Sequence, residues 1–110
     1  AKAYAKWTMT LDEHPGTEDL VLQAVRIGDV GITSIPCEVL VEIGLRIKAS
    51  SPLKPTFTIE LANGHYGYLP DPQQHRLGGY ETWLGTNTLE IEASDKIETE
   101  LAKLLKKVAM

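Results

Sequence analysis

The stretch Phe57 to Glu81, FTIELANGHYGYLPDPQQHRLGGYE, holds three of the chain's four tyrosines and two of its three histidines. It offers the imidazoles of His65 and His75 and the phenols of Tyr66, Tyr68 and Tyr80, with Trp83 just beyond. Imidazole binds zinc or moves protons near neutral pH, and a neutral phenol donates a hydrogen bond. A strand that runs into a long polar, aromatic loop is where a rigid scaffold presents functional groups, and a loop of this length needs a reason inside a compact domain. The bland reading is a packed surface loop that buries its tyrosine rings and bonds their hydroxyls.

Other groups are weighed against similar bland readings. Glu38 follows a strand and a proline and opens an apolar helical stretch. It is either a carboxylate favoured by the helix dipole, or a metal ligand or general base at a strand end. Glu42 lies one helical turn later and shares its face. His65 and His75 lack the i, i+4 spacing of a helical zinc pair and have no third histidine nearby, so they read as satisfied loop residues. His14 reads as an exposed loop residue. Cys37 is either one half of a Cys–His nucleophilic pair or a small buried thiol. Asn63-Gly64 is a turn signal, and Gly78-Gly79 is not a phosphate loop, because no Lys-Ser/Thr or dinucleotide fingerprint follows it.

These groups need elements to hold them. Ala1 to Thr10 is weakly helical, and Asp12 to Asp19 is a polar turn segment. Leu20 to Ile27 reads as a strand with Val21, Val25 and Ile27 on one face. Gly28-Asp29 predicts a two-residue hairpin turn of type II′, with Val30 to Ile35 returning. Pro36 fits the first turn of a helix that covers Glu38 to Ala49. Its apolar residues Leu40, Val41, Ile43, Leu45 and Ile47 surround most of the circumference, the pattern of a buried helix. Thr56 to Leu61 is the central strand. After the long loop, Thr88 to Ala93 alternates as a half-buried strand, Ser94 supplies an N-cap, and Ile97, Leu101, Leu104, Leu105 and Val108 form one helical stripe. The predicted class is mixed α/β (α+β): a single domain over 1–110 with a small sheet of about four strands packed with two to three helices.

The 110 residues suffice for one modest core. A net charge of −4 with no Lys/Arg stripe argues against nucleic acid as a partner. The basic cluster Lys103, Lys106 and Lys107 sits where it complements a helix dipole. A single cysteine excludes an internal disulfide and any multi-cysteine zinc motif. No apolar run reaches membrane-spanning length, and no signal peptide is visible, so the compartment stays open. The opening AKAYAKWTMT, without an initiator Met, is what a processed chain or a piece of a longer one would show.

The segments IPCEVLVEIGLRIK, FTIELANGHYGYLP and GGYE resemble the C-terminal part of the catalytic domain of neutral/alkaline (non-lysosomal) ceramidases, zinc-dependent amide hydrolases. The resemblance spans roughly Ile27 to Glu81 and is carried by a helix-opening Pro-x-Glu, the Leu-Ala-Asn at a strand end, Tyr68 and the pair Tyr80-Glu81. It implies that Glu38 and Tyr68 are metal ligands, with two family histidines supplied from elsewhere; His14, His65 and His75 do not match those histidines. It implies that Tyr80 is catalytic and donates to the oxyanion. Cys37 stands where the family has Gly, and Val39 where it has a small polar residue. The implied substrate is an N-acyl sphingolipid or another amide, the implied cofactor is zinc, and the implied partner is the remainder of the catalytic domain. The chain alone would be inactive and bind zinc weakly or not at all, since affinity depends on assembling every ligand. The alternative is a non-catalytic α+β module that binds a partner through the Tyr/His-rich loop 63–83, using Tyr66, Tyr68 and Trp83.

Overall fold

The computed structural model describes residues 19–83 and 85–110; the expected N-terminal helical segment, most of the turn segment after it and His14 lie outside them. The elements are β1 (Gln23–Ile27), β2 (Val30–Ile35), β3 (Glu38–Val39), α1 (Val41–Ser50), β4 (Thr56–Glu60), β5 (Tyr68–Leu69), α2 (Pro72–Leu77), a 3-10 turn (Tyr80–Thr82) and α3 (Ala93–Ala109). They form a mixed α+β structure. One sheet has the order β1-β2-β4, and a second, two-stranded sheet pairs β3 with β5.

Local chemistry accounts for the first hairpin. Ile27 pairs with Val30, which leaves Gly28-Asp29 as a two-residue loop, and Gly28 takes φ +60 while Asp29 stays out of the left-handed region. A type II′ turn requires that combination, and only glycine adopts it without strain. β2 then runs parallel to β4, and α1 makes the connection, as a parallel pair demands. β2 is therefore the central strand, and Thr56–Glu60 is an outer one, contrary to expectation. Its sequence TFTIE alternates, and Phe57 and Ile59, which share one face, are exposed.

The register divides the sheet into two unlike faces. Ala24, Thr33 and Thr58 align on one face, with Gly31 and Thr56 beside them and Ile35 further along. This face meets the helices: Arg26 Nη1 donates to the carbonyls of Val108 and Ala109 at the end of α3. Val25, Ile32 and Phe57 align on the other face, flanked by Ile27, Val30 and Ile59. Of these, Val25, Ile27, Phe57 and Ile59 are exposed, and no charged residue interrupts the row. The sheet thus carries apolar side chains on both faces and, among the described residues, buries only one.

The core consists of Ile35, Cys37, Ile43, Ile47, Leu53, Leu69, Ala93, Ile97, Leu101 and Leu105. In α3 the predicted stripe points inward, with Leu101 and Leu105 fully buried. In α1 only Ile43 and Ile47 are buried, while Val41 and Leu45 face outward, so this helix lies on the surface with an apolar outer flank. It starts at Val41, not near Glu38, because the preceding backbone is already engaged. The N–H groups of Glu38 and Leu40 bond to the carbonyls of Gly67 and Leu69. Leu40 occupies the N-cap without a side-chain bond.

Residues 88–92 do not form the expected strand. Asn87 makes one isolated bridge to Gly67, and its Oδ1 then accepts from Leu89 N–H at 3.0 Å, closing a local turn. A strand needs a partner edge, and beyond that bridge this segment has none among the described residues. The helix begins one residue before Ser94, so Ser94 is not its N-cap. Its hydroxyl is fully buried and lacks a hydrogen-bond partner. Leaving such a group unsatisfied costs about 1–3 kcal/mol. Ser94→Ala is expected to stabilise the chain by about 1 kcal/mol, since it removes the orphan and favours helix. Urea denaturation measures this, and a destabilisation of similar size would mean that the hydroxyl has a partner.

Candidate functional site

The long loop is largely ordered structure, laced onto the segment that follows β2. After β4 the chain bends through left-handed residues at Leu61 (φ 54) and Asn63 (φ 67). Such a conformation is uncommon for leucine and tends to occur where surrounding structure over-determines the backbone. Here Leu61 N–H bonds to Cys37 O and Ala62 N–H to Ile35 O, while Tyr66 N–H bonds to Pro36 O. β5 then pairs parallel to β3, with Glu38 opposite Tyr68 and Val39 opposite Leu69. Paired residues on adjacent strands share a face. Glu38 and Tyr68, thirty positions apart in sequence, therefore project side by side.

Gly67 makes this approach possible. Its φ is +84, and a Cβ there would come 2.5 Å from Thr86 O. Any side chain would push residue 86 away from β5, and Tyr68 N–H would lose its bond to Thr86 O. Beyond β5, Asp71 caps α2 by accepting from Gln74 N–H, with Pro72 in the first turn. That pairing of Asp before Pro was a helix-start signal in the sequence, and the expectation of an unbroken loop passed over it. Asp71 also receives Arg46 Nη1 at 3.2 Å, and Arg46 grips Glu98 through Nε and Nη2 at 2.8 and 3.0 Å. This ties α1, the start of α2 and α3 into one frame behind β5, and both carboxylates raise the pKa of the Arg46 guanidinium.

The 3-10 turn brings Tyr80 to the same place. Its ring lies edge-on to Tyr68 at a centroid distance of 6.0 Å and to Trp83 at 5.3 Å. Both Tyr80 and Trp83 are about half exposed, at 47% and 50%. His65 also reaches the site, with Nε2 3.8 Å from Glu38 Oε2. Glu60, which the sequence did not single out, accepts from Val39 N–H at 2.8 Å and fixes β3 from the β4 side.

The resulting field is acidic. The Tyr68 phenol has a raised pKa, chiefly because of Glu38, with desolvation, Tyr80, Glu81 and Glu60 adding to it. The phenol is therefore neutral at pH 7. A cation beside Glu38 would reverse this preference, since a bound cation inverts the local logic of ionisation.

The other candidates lie apart. His75 sits on α2 with Nε2 3.1 Å from Asn87 Nδ2. Asn87 Oδ1 is committed to Leu89 N–H, so its amide nitrogen donates and His75 Nε2 accepts. That histidine is satisfied within the fold. Cys37 is completely buried, and burial pushes its thiol up to about 11, leaving no thiolate nucleophile at neutral pH. Glu42 does lie in the first turn of α1, but Glu38 precedes that helix in a strand, so the two share no helical face. Tyr66 packs against the core.

Glu38 and Tyr68 fit a divalent metal in donor type and in sharing one face, but they are two donors where a closed zinc shell has four. Among the described residues, no three His, Cys, Asp or Glu side chains come together to hold a metal ion. No described helix is long and apolar enough to cross a membrane. No family model matches the chain, and neither the curated proteins nor the solved structures contain a significant match.

Proposed function

We propose that this chain is the C-terminal part of a zinc-dependent, ceramidase-like amide hydrolase, acting on an N-acyl sphingolipid or a related amide. Glu38 and Tyr68 supply half of the metal shell, and Tyr80 is the oxyanion donor. The observation that carries the reading is the pairing of Glu38 with Tyr68 across β3 and β5, with Tyr80 packed against Tyr68. When bound, zinc supplies a Lewis acid for the carbonyl and an acidified water. The chain's own residues hold and orient: the β3–β5 ladder fixes both donors, Glu60 anchors β3, and Arg46 braces Asp71 behind β5.

The apolar face of the sheet left exposed among the described residues supports the same view, because it offers the remainder of a catalytic domain a surface to cover. Tested in the native reading frame that contains this chain, amide hydrolysis is expected to vanish on chelation and return with zinc. Hydrolysis that persists in chelator, or that proceeds at the wild-type rate in Glu38→Gln, would sink the reading. The alternative, a non-catalytic α+β binding module, draws support from the half-exposed pair Tyr80 and Trp83. It predicts partner binding that Trp83→Ala weakens, with no zinc dependence.

A further inference from the structure

We infer that an extended segment from the remainder of the parent protein adds to the outer edge of β4 and fills the groove beneath α1. The inference rests on the reading of this chain as a piece of a larger domain, and it names what that remainder places on β4. The ladder defines the edge. Gly31 N–H bonds to Pro55 O at 2.9 Å, and β2 and β4 run parallel. In a parallel ladder every second residue turns both its N–H and its C=O to the same neighbour. Pro55, Phe57 and Ile59 therefore turn their backbone to β2. Thr58 turns its N–H and C=O outward, where no strand among the described residues takes them up.

α1 overhangs this edge. Val41, Gly44, Leu45 and Lys48 fall at i, i+3, i+4 and i+7, one stripe of the helix, and with Phe57 and Thr58 they line an open groove. Val41 and Leu45 are 67% and 57% exposed. Gly44 lies inside the helix, where glycine is less favourable than any residue but proline. A Cβ there would meet nothing within 4 Å. Packing among the described residues does not require the glycine, and close approach of another backbone accounts for it. A strand about 4.8 Å beyond β4 takes up the Thr58 groups and points every second side chain at Val41 and Leu45. A second β4, paired two-fold, fits less well: each α1 packs against its own β4, and two helices need roughly 8–10 Å between their axes. The groove also has oppositely charged ends. Glu60 lies where α1 begins, accepting from Val39 N–H, and Lys48 lies at the other end, its carbonyl accepting from Lys54 Nζ. Charge complementarity asks the added strand for a basic residue beside Glu60 and an acidic one beside Lys48, with apolar residues between them on the side facing α1.

Amide hydrogen exchange, measured on this chain alone and on the product of the native reading frame that contains it, tests this. Thr58 N–H is expected to exchange freely in the chain alone and at least about a hundredfold more slowly in the parent. Leu45→Glu and Gly44→Leu leave the melting temperature of the chain alone nearly unchanged, since Leu45 is exposed and a Cβ at 44 finds open space. In the parent each removes the slowing at Thr58. Equal exchange at Thr58 in chain and parent would overturn the inference, as would slowing that survives both substitutions. Slow exchange in the chain alone would overturn it too, because a segment within the chain or a second copy would then hold the edge. Amide hydrolysis separates this from the amidase reading. A parent with slow Thr58 exchange and no zinc-dependent activity keeps the added strand and loses the enzyme, and an active parent with a freely exchanging Thr58 does the reverse.

Discussion

On the proposed amidase function, Tyr80→Phe is expected to lower zinc-dependent amide turnover by about 10²- to 10³-fold while the melting temperature barely moves. Phenylalanine keeps the ring, and with it the edge-on contacts to Tyr68 at 6.0 Å and Trp83 at 5.3 Å. Only the phenolic hydroxyl is lost. That hydroxyl sits on a half-exposed side chain beside Tyr68, open to a reacting amide rather than sealed in the core. A donor aimed at the developing oxyanion acts mainly on the transition state, so kcat falls and KM changes little. Steady-state kinetics on a short-chain N-acyl amide, paired with a melting curve, decide the matter. Near-normal turnover would take Tyr80 out of the mechanism, and a fall in activity that only tracks lost folded protein would make its role structural.

Leu101→Ala is expected to destabilise the chain by about 3–4 kcal/mol, the cost of lost burial plus a cavity. Leu101 is fully buried on the inner face of α3, and Ile97 and Leu105 flank it in the same stripe. A loss of that size is a large part of the ~5–15 kcal/mol that holds a small domain together. It reduces the folded-to-unfolded ratio by several hundredfold. The matched control is Leu77→Ala on α2, where the leucine is 72% exposed and the change should stay within about 0.5 kcal/mol. Urea denaturation of both variants checks the contrast, and equal losses would show that the helix does not pack as described.

What the sequence made legible follows from the range of the forces involved. The Gly28-Asp29 hairpin and the α3 stripe were readable because turn chemistry and 3.6-residue periodicity act over a few neighbours. The β3–β5 pairing was not, because its hydrogen bonds join residues thirty positions apart and no local signal announces them. That non-local ladder also explains the displaced start of α1, since it holds Glu38 and Val39 in the extended conformation of a strand, which a helix cannot share. Glu38 was singled out as a helix opener and sits instead in a strand. The apparent strand at 88–93 alternated correctly, but among the described residues it finds no partner strand beyond the bridge at the preceding Asn87. Alternation predicts which side chains can share a face, and a neighbouring edge decides whether a strand forms.

Val25, Ile27, Phe57 and Ile59, exposed among the described residues, bear on how the isolated chain behaves at the bench. Among the described residues β4 is an outer strand, and between Thr56 and Glu60 it carries neither lysine nor proline to discourage further pairing. An exposed apolar surface beside such a border invites copies to stack and to extend one another's sheets as protein concentration rises. Dilution and low salt, which leaves the net charge of −4 unscreened, are expected to oppose such association.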